Sequence, residues 1–370
     1  MSILRRFAGL STTTARTSDV LTRLATLALG PGHHGDRWMN RRRYDVLTIG
    51  NALVDVLAHA DLEVIAKLGL VKNAMTLVDE ERAEALYAAM PPGIESSGGS
   101  AANTAAALAS LGGRGAYIGK VRDDQLGEVF RHDIRALGVT FDTPSSAAGP
   151  ATGRCLVFVT PDAHRTMQTY LGAASTLNPD DIDMATVTGA SVVYLEGYLW
   201  DPPNAKRAFL KAARLAAAAG VKVALTLSDS FCVDRHRESF LELVRDHVDI
   251  LFANEDEIIS LYQVSSFDQA LVHVCNDCQI AALTRSEKGS VIVAGDTVHK
   301  VEAEPGVTVR DTTGAGDAYA AGFLYGFTHD LDVVKAARIG GIAAAEVISH
   351  MGPRPEIELA RLVHDALGQV

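Results

Sequence analysis

From residue 44 to the end of the chain, short apolar runs alternate with longer stretches that have helical spacing or are rich in small residues. The run Tyr-Asp-Val-Leu-Thr-Ile-Gly at 44–50 is followed by Asn51 and predicts a buried strand, since short apolar runs closed by turn residues suit strands covered on both faces. Similar runs predict strands at 116–119, 191–195, 222–227, 250–252, 280–284 and 290–294. Helical stretches are predicted between them, at 101–111, 127–136, 204–219, 255–261, 267–275 and 315–326. Strands alternating with helices argue for an α/β fold with a largely parallel central sheet covered on both sides. Two stretches break the rhythm. Residues 56–78 and 152–170 contain segments of period two, such as Gly153–Val159 and Thr166–Tyr170, which predict a small antiparallel sheet. Both flank a glycine-rich segment near residue 98, so a β-sheet lid formed by about 56–78 and 147–171 is expected over a substrate cleft.

The composition, 48% hydrophobic and 21% charged, is that of a soluble globular enzyme rather than a disordered chain. No apolar run reaches the ~18–20 residues that a membrane helix needs, so no membrane partner is expected. The net charge of −11 conceals a split. Residues 1–43 carry eight arginines against Asp19 and Asp36, a balance of +6, which leaves −17 for the remainder. So acidic a body offers no broad footprint for nucleic acid. The arginine-rich start has the composition of a transit peptide. Met39, just before the first strand, favours instead a disordered extension over 1–40, or an over-called start with Met39 as the natural one, with the folded domain at 41–370. Cys155, Cys232, Cys275 and Cys278 are too few for a disulfide framework, and Cys275-Asn-Asp-Cys278 has no second pair to complete a zinc site. Reduced, incidental cysteines and a cytoplasmic location are expected.

Two glycine-rich motifs carry candidate chemistry. In Gly98-Gly99-Ser100-Ala101-Ala102-Asn103, the glycines let backbone approach a ligand, Ser100 can cap a helix, and Asn103 offers both donor and acceptor to a hydroxyl pair. A tight turn entering a packed helix explains the same residues equally well. In Asp311-Thr312-Thr313-Gly314-Ala315-Gly316-Asp317, glycines at a helix start expose unpaired N–H groups to an anion. A carboxylate beside such a cradle makes little sense for folding alone. It makes sense if Asp317 accepts a proton from an attacking hydroxyl, late in a loose phosphoryl-transfer transition state.

In their order and separation, the two motifs resemble the signatures of the ribokinase-like (PfkB) carbohydrate and nucleoside kinases. The resemblance covers Asp45 to about Pro355. It implies a ribokinase-like three-layer sandwich with a small β lid, ATP and Mg2+ as cofactors with a monovalent cation as an optional one, and a small-molecule nucleoside or sugar substrate. By this resemblance Asp317 is the catalytic base, and Gly314, Ala315 and Gly316 form the anion hole. Asp55, in Gly50-Asn51-Ala52-Leu53-Val54-Asp55, binds sugar hydroxyls. Gly99 and Asn103 hold the ring, with Asn51 and Ser100 beside them. Asn254-Glu255-Asp256-Glu257 matches the family's Asn-x-x-Glu, which implicates Asn254 at the triphosphate and Glu257 in ordering magnesium through water. Thr284, Ser286 and Gly289 fall in the family's nucleotide segment, although Ser286 stands where a glycine is usual. Arg165 resembles a lid arginine reaching the phosphates, and 339–352 is expected to shape the adenine pocket.

Asn51 before Asp55, Gly99-Ser100 and the Asn254 motif together look most like the adenosine kinase branch, which implies transfer from ATP to the 5′-hydroxyl of adenosine, giving AMP. Ribose, fructose and 2-keto-3-deoxygluconate are the alternatives, and a non-catalytic sugar- or nucleoside-binding regulator is a distant one. A dinucleotide-dependent dehydrogenase would need G-x-G-x-x-G after the first strand, where this chain has Gly50-Asn-Ala-Leu-Val-Asp. A P-loop is excluded because Gly119-Lys120 is preceded five residues earlier by Arg114 and followed by Val121. Monomer and homodimer both stay open.

Overall fold

The computed structural model describes residues 42–72, 74–161 and 165–368, so the expected extension over 1–40 lies outside the described residues. The larger sheet runs in the order β13-β12-β11-β10-β9-β8-β1-β5. Its strands are β1 (Tyr44–Ile49), β5 (Gly115–Ile118), β8 (Ala190–Glu196), β9 (Lys222–Thr226), β10 (Ile250–Asn254), β11 (Ile280–Thr284), β12 (Ser290–Ala294) and β13 (Thr297–Val301). Pairings from β5 through β11 are parallel, and β12 and β13 add an antiparallel edge. The strand runs are apolar throughout because helices cover both faces. Val46, Tyr194 and Phe252 pack on one side with the helices Ser100–Ser110, Ala315–Thr328 and Val333–Val347. Leu47, Ile49, Leu195 and Leu251 pack on the other with Pro203–Ala218, Ser230–His247 and Phe267–Asp277. Fully buried side chains such as Phe209, Phe240 and Phe323 each stabilise this three-layer sandwich by about 1.5–3 kcal/mol.

The smaller sheet has the order β3-β7-β6-β2-β4, formed by β2 (Leu53–His59), β3 (Met75–Leu77), β4 (Ile94–Gly98), β6 (Gly153–Val159) and β7 (Arg165–Tyr170). It is mixed rather than antiparallel as expected: β2–β6 and β3–β7 are parallel, β2–β4 and β6–β7 antiparallel. The expectation failed because 56–78 is not continuous strand. A helix at Leu62–Lys67 intervenes, and β4 enters the sheet directly ahead of Gly99. Alternation along β2 sends Val54 and Val56 into the core and turns Asp55 and Leu57 to the opposite face.

Two long helices were not among those predicted from the sequence. Ser230–His247 is kinked at His236 (φ −127°, ψ 17°), which contacts Asp201. Val333–Val347 carries Gly340-Gly341, poor in helix propensity. Tertiary packing overrides that, because a Cβ at Gly322 would lie 2.6 Å from the Gly340 nitrogen, so these two helices meet backbone to backbone.

Candidate active site

The C-terminal ends of the parallel strands, where open α/β sheets bind ligands, gather most of the residues singled out above. Between β1 and β2 lies Asn51, and β8 ends on Glu196. Glu196 is fully buried and accepts hydrogen bonds from the Asn51 backbone N–H (3.3 Å), Asn51 Nδ2 (2.7 Å) and the Ala101 N–H (2.8 Å). It thereby ties the segment before Asp55 to the first turn of the helix Ser100–Ser110. A Cβ at Gly50 would sit 2.2 Å from Glu196 Oε2, so the knot needs glycine there. Gly99 adopts φ +96° with the Asn51 carbonyl oxygen 2.2 Å from where a Cβ would be, which accounts for its identity without a ligand.

That turn aims Ser100 and Asn103 across the cleft at Asp317, in the first turn of Ala315–Thr328. Ser100 Oγ donates to Asp317 Oδ1 at 2.6 Å, and Asn103 Nδ2 donates to Oδ2 at 3.4 Å. Gly314 caps the helix at φ +78°, and a Cβ there would lie 2.5 Å from the Pro353 carbonyl oxygen. A Cβ at Gly316 would meet nothing within 4 Å. The amides of Gly316 and Asp317 donate to no carbonyl outside the helix among the described residues, as expected of first-turn positions. The result is a largely buried carboxylate next to free N–H groups and open space.

Asp55 lies near Asp317 and makes no hydrogen bond to another described residue. Register places it on one sheet face with Leu57, Cys155, Val157, Val159 and Met167, and with the polar Thr169 and Arg165. Leu57, Cys155, Val157, Val159 and Met167 form an apolar cluster with Met351 from the loop after Val333–Val347. The wall beside Asp55 is therefore mainly apolar, with the Arg165 cation acting on Asp55 from the same face.

At the other end of the same edge, Asn254 and Thr284 are register neighbours on β10 and β11. Asn254 and Glu257 form a reciprocal capping box: Asn254 N and Nδ2 donate to Glu257 (3.0 and 2.6 Å), and Glu257 N donates to Asn254 Oδ1 (2.8 Å). Among the described residues no group of three or more His, Cys, Asp or Glu side chains gathers to hold a metal. Arg285, next to Thr284, forks onto Glu255 at 3.0 and 2.9 Å. Ser286 takes φ +51°, the left-handed region glycine prefers, which explains the family's usual residue there. Gly289 packs where a Cβ would lie 2.0 Å from the Val301 carbonyl oxygen. Arg165, buried on β7, points its Nη2 to within 2.6 Å of Asp311 Oδ2 at an angle that makes no hydrogen bond. Asp311 Oδ2 also accepts from Gly352 N–H at 2.9 Å.

Glu196 and Arg354 went unnoticed in the sequence. Arg354, in the loop before Leu359–Leu367, donates to Asp133 Oδ2 (2.9 Å), Ser97 Oγ (2.7 Å) and Asn103 Oδ1 (3.4 Å). The signal for Glu196 was a charged residue closing an apolar strand run. For Arg354, between two prolines in a loop, there was none.

Burial raises four carboxylic acids here: Asp55 and Asp317 to about 6, Glu196 and Glu257 to about 7. At Asp317 the Ser100 and Asn103 bonds oppose the rise. Each group binds its proton more tightly folded than unfolded, so its contribution to stability is complete below about pH 4 and is lost as pH climbs through 6 to 7. Asp45, Asp133 and Asp201, held low overall by arginine and other donors although burial raises them, act only at more acid pH. The ligand-free protein should therefore melt at a lower temperature at pH 7.5 than at pH 5. Equal or higher melting at pH 7.5, followed by circular dichroism, contradicts this balance.

The sequence profile of the pfkB family carbohydrate kinases matches residues 28–359. The fold is similar to the crystal structure of adenosine kinase from Sinorhizobium meliloti, at 52% identity and TM-score 0.81, covering 88% of this chain and 99% of that one. It is also similar to that of a probable sugar kinase protein from Rhizobium etli CFN 42, at 49% identity and TM-score 0.82, with coverage of 88% and 99%. In sequence, adenosine kinase of Saccharomyces cerevisiae is 28% identical over 332 residues, 83% of this chain and 96% of that protein. Motifs, two-sheet architecture and profile coincide over the same stretch of chain, which therefore belongs to the pfkB family of carbohydrate kinases.

Proposed function

We propose that this kinase transfers the γ-phosphate of ATP to the 5′-hydroxyl of adenosine, with Asp317 as base and the small sheet as a lid over the nucleoside. The observation that carries this reading is the pairing of two partly buried acids, Asp317 and Asp55, with an apolar wall of Leu57, Val157, Met167 and Met351. A free sugar offers that wall nothing to bury, whereas a purine has an apolar face to lay against it. The adenosine kinase name of a relative 52% identical supports the same choice.

In this reading the ribose hydroxyls bond to Asp55 and Asn103, and the 5′-oxygen lies against Asp317. The amides of Gly316 and Asp317 receive the migrating phosphoryl group, where helix-terminal N–H groups stabilise developing charge. Ser100 and Asn103 hold the Asp317 carboxylate while it takes up the hydroxyl proton. Thr284 and Gly289 line the nucleotide side, and Arg165 lies beside the phosphate loop through Asp311. Magnesium, which phosphoryl transfer uses to neutralise the triphosphate, would be held by the nucleotide and by waters that Glu257 orders. That indirect role suits a carboxylate already occupied by Asn254. Asp317 works as base when ionised, so kcat/KM should fall as pH drops through about 6.

Gly316→Ala separates cradle from scaffold. The new methyl meets nothing within 4 Å, and alanine favours a helix by up to about 1 kcal/mol. Stability should hold or rise while kcat/KM for ATP falls about tenfold or more, because the methyl occupies the phosphoryl space. Unchanged kinetics would remove Gly316 from the cradle. Substrate identity is tested by ADP release with adenosine, inosine, ribose, fructose and 2-keto-3-deoxygluconate. Adenosine is expected to be turned over best, and turnover of free sugars alone would overturn the nucleoside reading.

A further inference from the structure

The loop after Val333–Val347 is pinned both to the start of the helix Ala315–Thr328 and to the end of its own preceding helix. Asp311 accepts from Gly352 N–H, and Glu346 Oε1 accepts from the N–H groups of Glu356 (3.0 Å) and Ile357 (3.1 Å). Pro353 fills the space next to Gly314. Arg354 extends from this fixed loop toward the cleft. Its two terminal nitrogens are anchored on Asp133 and Ser97, whose own N–H (2.8 Å) and Oγ (2.6 Å) also donate to Asp133. Its third donor, Nε, faces Asn103 Oδ1.

Asn103 thus stands between a group that can only donate and a group that, ionised, can only accept. Its carboxamide satisfies both in one orientation alone: oxygen toward Arg354, nitrogen toward Asp317. The two flips of an amide are nearly the same in shape and differ in which partners they satisfy. The geometry points to Arg354 as a positioning residue for the reaction, one that fixes the flip of Asn103 so that its N–H2 faces the base. Arg354 touches neither Asp317 nor the space above Gly316. It acts through Asn103, and the inference rests on Asp317 being the base.

Without the guanidinium, the amide can turn its oxygen to the Asp317 carboxylate, which repels the ionised form and favours the protonated one. The other groups bearing on Asp317 are Ser100 from the same helix as Asn103, Asp55 from β2, Tyr194 and Glu196 from β8, and Tyr198 just after it. Arg354 and Arg165 act on neighbouring Asp55. Loss of the cation also raises Asp55 directly, so only the part of an acid-limb shift that disappears in the Asn103→Ala background reports on the amide.

The test is a double-mutant cycle of Arg354→Met and Asn103→Ala, read as pH profiles of kcat/KM for the nucleoside. Arg354→Met should lower kcat/KM about tenfold or more at pH 7 and move the acid limb upward by about 0.5 pH or more. In the Asn103→Ala background it should cost less than about threefold further, since residues acting through one another are non-additive. Arg354→Lys, which keeps a donor-only cation, should return the acid limb to the wild-type midpoint, and this arm stands even if the Met variant does not fold. Fully multiplicative losses, or an acid limb unmoved in a folded Met variant, overturn the assignment. Failure of the base reading shows separately, as an Asp317→Asn enzyme that keeps its turnover.

Discussion

Asp317→Asn is expected to lower kcat at least ~10²-fold, the lower end of what a positioned general base contributes, with KM for both substrates within about threefold of wild type. The amide is nearly isosteric and can still accept from Ser100, giving up only the longer bond from Asn103. What it cannot do is take a proton. Burial already opposes charge at this position, as the rise to about 6 shows. Removing that charge should therefore leave the variant as stable as wild type at neutral pH, or more so, in keeping with active sites that give up stability for function. Steady-state kinetics and thermal melting of the same preparation check both halves. A kcat within threefold of wild type takes the base role away from Asp317.

Glu196→Ala should be the most damaging change outside the reacting groups. It orphans three buried donors, the Asn51 N–H, Asn51 Nδ2 and the Ala101 N–H, at about 1–3 kcal/mol each. Against this stands the relief of no longer burying an acid pushed from 4.5 to about 7, worth roughly 3 kcal/mol at most. The orphaned donors outweigh it, so a net loss of a few kcal/mol is expected in urea unfolding at pH 7. Activity should fall as well, because Asn51 leads into Asp55 and Ala101 sits between Ser100 and Asn103. Wild-type stability in this variant would mean that the knot holds nothing.

What could be read from the sequence, and what could not, divides along physical lines. Seven of the eight strands of the central sheet were visible because burial on both faces leaves short apolar runs between turn residues. Asp317 was visible because Gly314 and Gly316 are costly at a helix start unless something needs the open amides. The edge strand β13, with Thr297, Val298 and Lys300 exposed, lacks such a run. The mixed pairing of the small sheet depends on where the helix Leu62–Lys67 carries the chain, which no local pattern encodes. Glu196 and Arg354 acquire their roles from partners 145 and 251 residues away in sequence. Such long-range contacts leave no periodic trace in either segment. Glycines carried a mixed message: Gly316 faces open space, whereas Gly99 and Gly314 are also required by their own backbone and neighbours.

The most direct measurement is a crystal structure with adenosine and a non-hydrolysable ATP analogue. The 5′-oxygen is expected within about 3.2 Å of an Asp317 oxygen, with ribose hydroxyls on Asp55 and Asn103, the purine against Leu57, Val157 and Met351, and the γ-phosphate over Gly316. Adenosine bound elsewhere, or a phosphate chain that never meets the start of the helix Ala315–Thr328, would contradict this arrangement.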